Sequence, residues 1–258
     1  MKKILLSLLS LMLGLSGNAQ LKSPSDFLGY ELGTQFTRHH QVIDYVNHVA
    51  ENSDFAQTTP YGKTNEDRTL QLVYLSAPEN LAQLETMRQD HLRSIGYAEG
   101  AKETTKEFSI VWLSYNVHGN ESTSTEAALK TLHTLVTEKQ DWLENLIVIL
   151  DPCINPDGRD RYVNWYNQVK STPFDSSPLA NEHFEDWPGG RYNHYYFDLN
   201  RDWAWLSQKE SQQRLPNYLA WMPQIHVDFH EQGVDSPYYF APAVEPYHEV
   251  ITDFQRDF

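Results

Sequence analysis

Cysteine is nearly absent from this sequence: Cys153 is the only one in 258 residues. A lone thiol cannot close an internal disulfide, so the fold has to hold by packing. Its apolar setting is that of a small buried core residue, and no histidine stands beside it in a nucleophile motif. Basic residues are scarce as well, 20 Lys and Arg against 35 Asp and Glu, for a formal charge of −15. Phosphate backbones are gripped by clustered Lys and Arg, and no such cluster occurs, which argues against nucleic acid as a partner. After the first twenty residues no apolar run is long enough to span a bilayer. Internal repeats and low-complexity tracts are lacking too.

What is present is the composition of a globular protein, 40% hydrophobic and 13% aromatic, long enough to bury a sizeable core. The first residues stand apart. Lys2 and Lys3 form a basic start, Ile4 to Leu15 an apolar stretch, and Gly17-Asn18-Ala19 a small-residue end. That is the pattern of a secretory signal over residues 1–19, an uncleaved anchor being the alternative. The mature chain is expected to begin near Gln20, in a secreted or periplasmic location and free of membrane once the signal is removed.

The remaining periodicities alternate between helix and strand. Residues 35–49 carry Phe36, Val42, Tyr45, Val46 and Val49 loosely on one side of a helix. A strand is expected at 70–75, a helix over 81–95, a strand at 108–113 and a helix over 124–138. Leu146-Ile-Val-Ile-Leu150 is a continuous apolar run of strand length, as expected where a strand is covered on both faces. A last strand runs from Gln224 to Phe229. This alternation predicts an α/β fold, a three-layer αβα arrangement around a mixed, mostly parallel sheet. From Asn155 to Trp205 the pattern dissolves into Pro, Gly, Asn, Asp and aromatic residues, which reads as a long functional loop. The ending Val250 to Phe258 reads as an amphipathic helix without a stop signal.

Four short motifs carry chemistry. In "NVHGNEST", residues 116–123, His118 and Glu121 flank a tight Gly119-Asn120 turn between a strand and a helix. Sites in α/β sheets form where strands end at their carboxyl side. A His-x-x-Glu pair is weak evidence alone, since a loop histidine and a carboxylate at a helix start make the same pattern. In "HVDFHEQG", residues 226–233, His226, Asp228 and His230 fall on alternate positions of a strand and so on one side. Hydrolytic zinc commonly takes two His and one Glu with an open position for water, and His118, Glu121 and His230 make that set. Asp228 then stands where it could hold an imidazole in one tautomer, while His226 reads as a polar neighbour. "NPDG", residues 155–158, reads as a turn at the same sheet edge. "DLNRDW", residues 198–203, sets Asn200 beside Arg201, a guanidinium suited to a planar grip on a carboxylate.

In this order the four motifs resemble the zinc carboxypeptidase family, the funnelin-type metallopeptidases, over about half of the chain. The resemblance implies one zinc ion per chain held by His118, Glu121 and His230. It implies that Asn200 and Arg201 grip the free carboxylate of peptide or protein C-termini. It also implies an arginine that polarises the scissile carbonyl; Arg191 resembles its placement, with Arg159 and Arg161 as rivals. Residues 20–105 then lead into a catalytic domain over 106–258. The family's general base, a glutamate on a late strand, has no counterpart at the expected place; Glu231, Glu245 and Glu249 do not match it. The expectation is therefore a fragment of a longer enzyme that binds zinc but hydrolyses peptides poorly. Two alternatives stay open: a zinc-dependent N-acyl amino acid deacylase of the same clan, and a secreted non-catalytic module that binds through the aromatics of 165–205.

Overall fold

The apolar runs at 70–75, 108–113 and 146–150 become the centre of a five-stranded mixed sheet, flanked on both faces by helices. The computed structural model describes residues 20–233, 236 and 245–257; the signal expected at 1–19 lies outside them. The elements that build the fold are α1 (Pro24–Leu28), α2 (His39–Asn52), β1 (Ala56–Lys63), β2 (Thr69–Leu75), α3 (Pro78–Leu81) and α4 (Leu84–Ser94). They continue as β3 (Ser109–Tyr115), α5 (Thr123–Thr137), β4 (Leu146–Asp151), α6 (Pro156–Val169), α7 (Lys209–Trp221), β5 (Ile225–Phe229) and α8 (Asp253–Asp257). The strand order is β1-β2-β4-β3-β5. β1, β2 and β4 pair antiparallel, whereas β3 runs parallel to both β4 and β5.

Two cores explain why the central strands are apolar throughout. Val73, Leu75, Leu113, Tyr115, Val148 and Leu150 point to one face and pack on α2 and α5. α2 presents Val42, Tyr45, Val46 and Val49, the spacing of one helical stripe, and α5 presents Ala128, Leu129, Leu132, Leu135 and Val136. Leu72, Tyr74, Ile110, Trp112, Ile147 and Ile149 point to the other face, against Met87 of α4 and Trp221 of α7. β5 is the edge strand beside β3, and Ile225 and Val227 on it are exposed. None of the described helices is long and apolar enough to cross a membrane.

The structure corrects the sequence reading at several places. The stretch read as one loop from Asn155 to Trp205 opens with a 14-residue helix, α6. Asn155 caps it, its side chain accepting from the Gly158 amide at 3.0 Å, and Pro156 sits in its first turn. Asn, Pro, Asp and Gly signal a turn, but Asn followed by Pro is also a strong helix start. Helix α2 begins at His39 rather than 35, and the expected helix over 81–95 divides into α3 and α4. Strand β1 contains Pro60 and Gly62 and has an irregular register between them, which an edge strand tolerates.

The first turn of α2 carries a pH-sensitive group. His39 is buried, its Nε2 donates to the Thr69 carbonyl at 2.7 Å, and its Nδ1 is buried without a partner. Burial pulls its pKa down to about 4, against the Thr69 bond and Asp160, which favour the charged form; Arg159 and Arg68 add to the lowering. An imidazole that titrates near 6.5 when unfolded therefore resists protonation in the fold. Its contribution to stability is complete above about 6.5 and is lost as the pH falls toward 4, on the order of 3 kcal/mol at most. Urea unfolding at pH 7.5 and 4.5 should show a larger loss for the wild type than for His39→Gln; equal losses would refute this origin.

Candidate metal centre

The carboxyl ends of β3 and β5 are brought together by their parallel register, in which Tyr115 faces Phe229 and the two rings stack at 4.1 Å. The chain leaves β3 into the loop 116–122 and leaves β5 at His230. In the loop, the Glu121 amide donates to the His118 carbonyl at 3.1 Å, closing a turn that points both side chains the same way. His118 Nδ1 lies 2.7 Å from Glu121 Oε1, and His230 Nδ1 lies 3.0 Å from Glu121 Oε2. The two imidazoles are 5.0 Å apart between ring centroids. Potential ligand atoms of His118, Glu121 and His230 all lie within 4.8 Å of one another.

The far side of each ring is held by a second carboxylate. His118 Nε2 meets Asp198 Oδ1 at 3.0 Å, and His230 Nε2 meets Asp228 Oδ2 at 3.0 Å. Glu121 stands on the Nδ1 side of both rings, and a carboxylate on Nε2 can hold the proton there once a metal takes the Nδ1 lone pair, the state a metal-binding imidazole needs. Both Nδ1 atoms and the Glu121 carboxylate face one point, so the donor set fits a divalent metal such as zinc.

Asp198 does a second thing. Its Oδ2 accepts from Arg191 Nη2 at 2.9 Å and Nε at 3.1 Å, while Arg191 Nη1 stands 3.7 Å from Glu121 Oε1. Arg191, about a third exposed, is thereby fixed beside the cluster. Asn200 Nδ2 is 3.5 Å from His230 Nε2, and Asn200 Oδ1 accepts from Trp203 Nε1. Arg201 is exposed and forms no ion pair among the described residues; its Nη1 donates to the Asn200 carbonyl. The residues singled out in the sequence, His118, Glu121, Arg191, Asn200 and His230, thus surround one place, with Arg201 at its edge.

The rival arginines are spent elsewhere. Arg159 is fully buried, paired with Glu126 at 2.6 Å and donating to the Thr37 and Ser122 carbonyls. Arg161 donates to the carbonyls of Gly189, Tyr192 and Asn193, pinning the loop that carries Arg191. His226 bonds to Ser114 and packs on Trp203 and Tyr218, away from the cluster. Glu231 accepts from the Thr123 amide at the start of α5. Asp198 had gone unremarked in the sequence, although it opens the DLNRDW motif; its role lies in a contact eighty positions away in the chain.

Electrostatics favour an ionised, ligand-ready carboxylate. Burial opposes the charge on Glu121, but hydrogen bonds from His118 and His230 outweigh it and bring the carboxyl down to about 2. Asp198 is likewise partly buried, yet the charges of His118 and Arg191 hold it below the usual carboxylate range. In the metal-free protein the bonds to Asp228 and Glu121 raise His230 to about 10. A second group, Glu66, Asp157 and His194, also clusters within 4.8 Å. There Arg68 already bonds Glu66 at 2.6 Å and Asp157 at 2.8 Å, and Thr64 bonds Asp157 as well, so those oxygens are committed.

A family model described as zinc carboxypeptidase matches residues 42–219, more than half of the chain. The chain belongs to the zinc carboxypeptidase family. The match includes His118, Glu121, Arg191, Asn200 and Arg201 and ends before His230, which joins the group through geometry. No curated protein matches the chain significantly. Among solved structures, carboxypeptidase A from Helicoverpa armigera is similar at TM-score 0.51 and 16% identity, covering 90% of this chain and 53% of that one. A Burkholderia mallei protein assigned as a carboxypeptidase is similar at TM-score 0.51 and 20% identity, covering 85% and 44%. Thrombin-activatable fibrinolysis inhibitor is similar at 0.51 and 12%, covering 91% and 59%. At these identities the likeness speaks for the fold, the αβα arrangement of zinc carboxypeptidases. The chain spans about half the length of the solved relatives it matches.

Asp198→Asn keeps the size of the side chain but weakens its hold on the His118 Nε2 proton. Zinc affinity, read by competition with a chromogenic chelator, is expected to fall about 10- to 100-fold. Unchanged affinity would remove Asp198 from the metal centre.

Proposed function

We propose that this chain carries the metal-binding part of a metallocarboxypeptidase that removes the last residue of peptides or proteins with a free C-terminus. The observation that carries the reading is the convergence of His118, Glu121 and His230, with Asp198 bonding both His118 and Arg191, in a member of the zinc carboxypeptidase family.

His118 and His230 would hold one zinc ion through Nδ1, and Glu121 through its carboxylate. When bound, the zinc supplies acidity to a water and polarisation to the scissile carbonyl. The protein does the rest. Asp198 and Asp228 orient the two rings and keep their protons on Nε2. Arg191, held by Asp198 beside Glu121, places its guanidinium where negative charge develops on the carbonyl oxygen. Arg201, exposed and without a carboxylate partner among the described residues, together with Asn200 offers planar donors to the substrate's terminal carboxylate. Trp187, Tyr195 and Trp205, all exposed on the segment that carries Arg191 and Arg201, offer apolar contact to the residues before the last one. Residues 1–19 would direct the protein out of the cytoplasm. The convergence of His118, Glu121 and His230 in a member of the zinc carboxypeptidase family supports this reading over a non-catalytic binding module.

As expected for a chain in which no glutamate matches the family's general base, the zinc-loaded protein should release the last residue of a peptide with a free C-terminus only slowly and leave the amidated peptide intact, measured by chromatography of the products. Arg191→Ala should keep zinc and lower turnover about 10²- to 10³-fold, whereas Arg201→Ala should chiefly raise KM. Failure to take up zinc, indifference to amidation, or faster release from an N-acyl amino acid than from a peptide would each overturn the reading. The last result would favour the deacylase.

A further inference from the structure

The loop 116–122, which carries both His118 and Glu121, belongs to neither β3 nor α5. Something other than regular secondary structure has to hold it in shape. Asn116, the residue directly after β3, does so from the inside. It is completely buried and its φ is +58°, a left-handed conformation that Asn tolerates better than most non-glycine residues.

All of its polar atoms are engaged. The side-chain amide Nδ2 donates to the His118 carbonyl at 2.7 Å and to the Glu121 carbonyl at 2.9 Å, with the Gly119 carbonyl further off at 3.4 Å. Oδ1 faces two donors from other parts of the fold, Arg159 Nη1 and Cys153 Sγ, each at 3.4 Å. The main-chain N–H donates to Ser124 Oγ at 2.9 Å, and the carbonyl accepts from the Asn155 amide at 3.2 Å. Three carbonyls on one side and two donors on the other also fix which end of the amide is nitrogen.

We propose that Asn116 is the positioning residue of the metal loop, setting the relation between His118 and Glu121 through one side-chain amide that bonds the carbonyls of both. The inference rests on the reading that these two residues hold a divalent metal. The amide ties the two ligand-bearing residues to each other and, through Oδ1, to the buried start of α6. Aspartate at this position would place a carboxylate against three carbonyl oxygens. Glycine would accept the backbone conformation and supply none of the bonds. Each therefore removes a different part of the device.

The test uses the full chain, with zinc affinity measured by chelator competition and thermal unfolding of the metal-free protein measured alongside. Asn116→Asp and Asn116→Gly are expected to bind zinc about 10- to 100-fold more weakly. The visible absorption of their cobalt(II) forms should also change in intensity, because the ligand geometry is altered. Leu132→Ala, a core change in α5 away from the loop, serves as the control: its unfolding temperature should fall while its zinc affinity and cobalt spectrum stay as in the wild type. Wild-type zinc affinity and spectrum in both Asn116 variants would overturn the proposal. So would a loss of affinity in Leu132→Ala matching theirs, since Asn116 would then be supporting the fold in general. A wild-type chain that takes up no zinc would instead overturn the metal reading itself, and this inference with it.

Discussion

The site depends on three stretches of backbone touching where no side chain could fit. A Cβ on Gly119 would run into the backbone of Gly158, Arg159 and Gly190; one on Gly158 would meet the carbonyls of Gly190 and Tyr192; one on Gly190 would meet Tyr162 and the Gly158 carbonyl. The loop with His118, the first turn of α6 and the segment with Arg191 therefore stack backbone on backbone. Only at that separation can Asn155 Nδ2 reach the carbonyls of both Val117 and Arg191. The glycines here serve close approach rather than flexibility.

Around this contact the buried charges of α6 act as rivets. Arg159 binds Glu126 of α5 and the Thr37 carbonyl, while Glu126 accepts from Thr37 through both its oxygens. A buried pair of this kind adds less to stability than its short distances suggest, because both ions are desolvated. Its effect is to specify geometry: the segment leading into α2, the start of α5 and the start of α6 have one mutual arrangement that satisfies every charge. Arg161 extends the same principle outward by fixing three carbonyls of the Arg191 segment. Two of the three arginines that the sequence left in competition are thus structural, and the third faces the cluster.

Much of the fold was legible because hydrophobic spacing follows geometry directly. The stripe of Val42, Tyr45, Val46 and Val49 and the run from Leu146 to Leu150 each admit one reading. The elements that escaped are those whose buried residues are polar. Helix α7 was missed: it contains Pro216, and Glu210, Ser211 and Arg214 lie on its buried side. Helix α6 hides behind Asn-Pro-Asp-Gly and buries Asp157, Arg159 and Asp160. At the site, His118, Glu121 and His230 were readable as donors of the right kind. Asp198 and Asn116 were not, since an aspartate or asparagine in a loop carries no local sign of what it bonds to across the fold.

The charges gathered at the cluster have a consequence for how it meets its surroundings. Glu121, Asp198 and Asp228 contribute three negative charges within bonding reach of the two imidazoles, and Arg191 returns one positive charge. With neutral rings the cluster is left with a deficit of two, which a divalent ion would cancel. The loaded centre would then be close to electroneutral, with little long-range pull of its own on an anionic chain end. In a protein of formal charge −15, Arg201, exposed and without an ion-pair partner among the described residues, would supply attraction for such an end. Capture would therefore be sensitive to ionic strength at that exposed guanidinium, while the screened interior of the cluster would hardly register it.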